Sequence, residues 1–65
     1  MEEEKNYGYM LRELRSKIGM NRREFAEYFG IAYRTVQDWE LGHRKMLGYV
    51  FDLIVYKIEK EKLVL

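Results

Sequence analysis

Apolar residues recur along this 65-residue chain at helical spacing, and glycines interrupt them. Tyr7, Leu11, Leu14 and Ile18 form one stripe of a helix predicted over about 7–18, with Arg12, Glu13, Ser16 and Lys17 on its wet side and Gly19 as its stop. Phe25, Ala26 and Phe29 give a second apolar face, predicting a helix over 22–29 that closes at Gly30. It opens on Asn21-Arg22-Arg23-Glu24, nearly the form of a capping box. Ala26 is small enough for another helix to cross closely there, and Ile31 is the predicted buried residue of the following turn. Val36 and Trp39 share the inner side of a third helix, predicted over 32–40 and ended by Gly42. Two helices this short, joined by a three- to four-residue turn containing glycine, make a helix-turn-helix. Neither would hold alone in water, so the rest of the chain must pack around them.

Residues 46–62, MLGYVFDLIVYKIEKEK, have an ambiguous period. Leu47, Val50, Phe51, Ile54 and Ile58 fit a helical stripe, while Tyr49, Leu53, Val55 and Tyr56 leave other faces apolar as well. Val, Ile and Tyr favour strands, so VFDLIVYKI alone reads as one. The length and the alternating charges of Glu59 to Lys62 favour a helix over about 47–62. A helix apolar on two faces must bury both. One face is predicted to meet the helix-turn-helix, and the other, around Tyr49, Leu53 and Tyr56 with Leu63 and Leu65, a second copy of the chain. The alternative is apolar surface simply left exposed, as most proteins leave some. Residues 1–6, MEEEKN, are predicted to fray, with Asn6 a possible cap and the acids suited to a helix N-terminus.

Composition narrows the function classes. At 65 residues the chain is predicted to be one small domain, 48% hydrophobic and therefore not a disordered segment. Without cysteine it has no disulfide, thiolate nucleophile or Cys-based zinc site, and the single His43 has no second His or Cys to join it on a metal. No cofactor is implied. No signal-like opening and no membrane-length apolar run is present, which places the expectation in the cytoplasm. Enzymatic function is disfavoured: there is no nucleophile-base-acid set, paired acid site or phosphate-cradling Gly loop.

The formal net charge is +1, too small for a generic polyanion binder. Its distribution is more informative. Residues 12–45 carry eight Lys or Arg against five Asp or Glu, whereas residues 1–11 are acidic and 46–65 are balanced. The outer face of the third helix presents Arg34, Gln37 and Asp38, with Tyr33 and Thr35 at its edges. In a DNA major groove Arg can read guanine, Gln adenine, and Asp a cytosine amino group. The same residues would also make an ordinary wet helix face.

The stretch from Gly19 to Gly42 resembles the phage repressor and Cro type of helix-turn-helix, the XRE or lambda-repressor-like family. The resemblance rests on Asn21, Glu24, Phe25-Ala26, Phe29-Gly30, Val36, Trp39-Glu40 and Gly42 in register. It extends back through Leu11, Leu14, Arg15 and Gly19 and forward to Arg44, covering roughly residues 7–55. It implies an all-α, four-helix domain that binds duplex DNA as a transcriptional regulator, a repressor, in a bacterial or phage cytoplasm at the nucleoid. By the same resemblance the helix over 32–40 enters the major groove. Arg34 and Gln37 lead base reading there, Tyr33 and Asp38 assist, and Arg22, Thr35, His43, Arg44 and Lys45 hold phosphates. Arg15 either contacts a phosphate, as a cation on this half, or pairs with Glu40, as the family implies; Arg22 either meets a phosphate or is solvated. Arg23 is expected to be solvated. A homodimer through Tyr49, Leu53 and Tyr56 would read two half-sites about one helical turn apart. Two departures stand out: Ala32 replaces the polar cap usual before the recognition helix, and Met46 replaces a proline common at the start of the next one. The rival function is a protein-interaction module, antitoxin-like, with weak or no DNA binding.

Overall fold

The computed structural model describes residues 6–63. It contains four helices, α1 (Tyr7–Lys17), α2 (Arg22–Phe29), α3 (Tyr33–Leu41) and α4 (Gly48–Lys60), and no strand among the described residues. The strand-prone run in VFDLIVYKI is helical, because its buried positions recur at helical and not alternating spacing. Both ends of α2 and the start of α1 lie where predicted, and the other ends differ by one or two residues. Ile18 and Glu61 fall to the C-caps, and Ala32 and Leu47 to the N-caps.

Local chemistry sets the boundaries. Asn6 Oδ1 accepts the Tyr9 amide at 3.0 Å and starts α1. At α2 the capping box is complete, with the Glu24 amide donating to Asn21 Oδ1 and the Asn21 amide donating to Glu24 Oε1, each at 2.8 Å. Ala32 has the extended backbone of a cap but no side chain to perform it, so α3 opens without a side-chain hydrogen bond. All four helices close with the same hairpin of backbone bonds, in which the residue after a left-handed position reaches back five: Met20 to Arg15, Ile31 to Ala26, His43 to Asp38 and Leu63 to Ile58. The left-handed residue this motif needs is glycine at 19, 30 and 42, but Lys62 (φ 57°) after α4.

Leu11, Phe25, Ala26, Val36, Met46, Phe51, Ile54 and Ile58 form one buried core drawn from all four helices and the loop before α4. α3 packs against both α1 and α2, and α4 lies against α1, where the Tyr7 and Phe51 rings meet at 5.4 Å. Lys57 of α4 sits 5.4 Å from the centre of the Tyr28 ring of α2. At Gly8 the backbone of α1 runs against that of α3, and an added Cβ would stand 2.3 Å from the backbone oxygen of Trp39. Leu47, expected on the core stripe, is exposed because it precedes α4 as its cap. Leu63, expected on the outer face, is folded onto the core by the reversal at Lys62. Leu65 lies outside the described residues. Ile31 is half-buried against the core.

Candidate nucleic-acid interface

The inner side of α3 is anchored by Val36, which is fully buried, and by Trp39, packed against the core. That anchoring turns Arg34 outward, with its side chain 82% exposed. Tyr33 is exposed beside it, and Gln37 and Thr35 are half-buried. Asp38 is less open than the wheel predicts. Its side chain is only 18% exposed, with Oδ1 3.8 Å from Arg34 Nε and 3.7 Å from His43 Nδ1. A helical wheel takes no account of the chain beyond the helix, and here the segment after Gly42 turns back over the Asp38 side; the Asp38 carbonyl accepts both the His43 and Arg44 amides. His43, Arg44 and Lys45 are all exposed in this loop. A cleft of about 680 Å³ opens between it and the start of α1, lined by Tyr7, Gly8, Trp39, Arg44 and Lys45 among others.

A cluster of three charges fixes how α3 sits on α1 and α2. The Glu40 side chain is 1% exposed. Arg15 of α1 donates to it in a fork, Nε to Oε2 at 2.8 Å and Nη2 to Oε1 at 3.0 Å, and its Nη1 donates to the Met20 carbonyl at 3.1 Å. Arg22 of α2 donates Nε to Glu40 Oε1 at 3.1 Å. Burial pushes the Glu40 carboxyl up, but the hydrogen bonds and charge of Arg15, joined by those of Arg22, outweigh it and hold the group below its usual range. Arg15 is raised, chiefly by its hydrogen bond to Glu40.

Arg22, assigned to a phosphate or to solvent at the sequence level, is thus engaged with a buried carboxylate and only 25% exposed. Arg23, expected to be solvated, instead places its guanidinium carbon 5.1 Å from the centre of the Tyr33 ring. Both partnerships join residues far apart in sequence, so helical periodicity carries no signal of either.

Among the described residues no cluster of three or more His, Asp or Glu could hold a metal ion, and no helix is long and apolar enough to cross a membrane. A helix-turn-helix family model matches residues 11–48, from the middle of α1 to the first residue of α4. No curated protein and no solved structure matches the chain. With more than half of its length covered by that match, the chain belongs to the lambda-repressor-like, XRE-type helix-turn-helix family, a family of DNA-binding transcription regulators.

Proposed function

We propose that the protein binds duplex DNA sequence-specifically as a cytoplasmic transcriptional repressor, with α3 lying in the major groove. The observation that carries this reading is Arg34, held outward on a helix whose opposite side is locked into the core by Val36. Arg34 and Gln37 lead base reading, with Tyr33 and Asp38 at the edges; the distances from Asp38 to Arg34 and His43 make it chiefly an orienting group. Thr35, His43, Arg44 and Lys45 grip the backbone. Two copies joined through Tyr49, Leu53 and Tyr56 of α4 would present two α3 helices to a pseudo-palindromic site. Occupying a promoter in this way blocks transcription.

Selection of bound sites from a random duplex pool tests the proposal. The expected result is an enriched motif with two-fold symmetry and half-sites about 10 base pairs apart. Recovery of unenriched sequence would contradict it.

A second reading, a module that pairs with a protein partner, is favoured by the exposed Tyr49, Leu53 and Tyr56 and by the net charge of only +1. Retention on a duplex DNA column at low salt distinguishes the first reading from the second.

A further inference from the structure

The two neighbouring arginines of α2 have opposite surroundings, and this divides their roles. Arg22 is hydrogen-bonded to Glu40, a carboxylate it shares with Arg15, and is largely covered. Arg23 is exposed, and among the described residues no carboxylate comes within 4 Å of its guanidinium, although Glu27 stands one helical turn further along α2. It rests instead across Tyr33, the first residue of α3. A guanidinium carries five N–H donors and a contact with a ring cannot occupy them all, so donors stay free for an anion. The ring also limits the rotamers that a long side chain must otherwise give up on binding.

We infer that Arg23, aimed by the Tyr33 ring, is the residue of α2 that contacts a DNA backbone phosphate, and that Arg22 is a positioning residue acting through Glu40. The inference rests on the DNA-binding reading above. It places a cation from α2 beside the first residue of α3, whereas Arg44 and Lys45 follow the last turn of that helix. The backbone would then be held at both ends of α3, where the loop alone would hold one.

The test is a fluorescence-anisotropy titration of the full chain on a selected duplex and on a scrambled duplex, over a salt series. Arg23→Gln is expected to weaken both duplexes by a similar factor, roughly tenfold for each bound subunit, and to reduce the slope of log affinity against log salt by about 0.9 for each bound subunit, with the melting temperature unchanged. Tyr33→Leu should lose part of the same slope, Tyr33→Phe should retain it, and the Arg23→Gln/Tyr33→Leu pair should show no further slope change beyond Arg23→Gln. Arg22→Gln should lower the melting temperature and leave the slope as it was. An unchanged slope for Arg23→Gln, a loss confined to one sequence, or a slope lost through Arg22→Gln instead would each overturn the inference. Absence of duplex binding by the unaltered protein would overturn the proposed function as well, which keeps the two failures distinct.

Discussion

Glu40 is the residue on which the geometry of the helix-turn-helix turns. It is the only carboxylate buried in this way among the described residues, and it ties the last turn of α3 to α1 and to the start of α2 at once. Removing it leaves two guanidiniums without their counter-charge in a partly buried site, so Glu40→Gln should cost about 3 kcal/mol at neutral pH, by the usual penalty for breaking a buried pair. The pH dependence has a definite sign. Because the folded state lowers the pKa of Glu40, its contribution is fully present above the ordinary glutamate value near 4.3 and is lost as pH falls through the lower folded value. Urea midpoints of the protein and of Glu40→Gln should therefore differ clearly at pH 7 and converge toward pH 3. A constant difference across that range would place the stabilisation elsewhere. The sequence pointed to Arg15 and Glu40 through the family resemblance, but not to Arg22, whose place in the cluster depends on how α2 crosses α3. Arg23 was illegible for the same reason: a wheel assigns a side to each residue, not a partner on another helix.

At the scale of the helices, packing geometry overrides propensity at two positions. Gly8 lies inside α1, where Gly→Ala would ordinarily add about 0.5–1 kcal/mol of stability. Here the new Cβ would meet the Trp39 backbone oxygen, which cannot move aside without shifting α3, so Gly8→Ala should instead destabilise by about 2–3 kcal/mol. Thermal melting reads the sign directly. Lys62 is the converse case. It occupies the left-handed position that glycine takes after the other three helices, so Lys62→Gly should raise stability by roughly 1 kcal/mol, measured by denaturant midpoint. The helices themselves were legible because their apolar stripes, the Asn21 capping box and the stopping glycines all agree. What the pattern hid was Gly8, whose constraint comes from the backbone of another helix, and Leu63, whose burial depends on the backbone angle of the residue before it.

For the whole molecule, the question is what covers the outer side of α4. Tyr49, Leu53 and Tyr56 are each at least 60% exposed, on the side away from the buried Phe51, Ile54 and Ile58. The two-faced apolar character of α4 was plain in the sequence; its partner was not, since exposed apolar side chains have no unique complement. If two copies meet there, Leu53→Glu should produce a monomer in sedimentation and lose affinity for a two-half-site duplex by at least tenfold, while affinity for a single half-site stays within about twofold. A monomeric unaltered protein, with Leu53→Glu binding as well as it does, would remove the dimer from the account.

The proposed DNA recognition depends most on Arg34 reading a base from the exposed side of α3. Binding of the protein and of Arg34→Ala to the selected site and to every single-base-pair variant of it measures this most directly. Arg34→Ala should cost about 1–3 kcal/mol on the selected site and abolish discrimination at one base-pair position, leaving the others intact. An equal loss on all sequences would make Arg34 a backbone contact and contradict the assignment of α3 to the major groove.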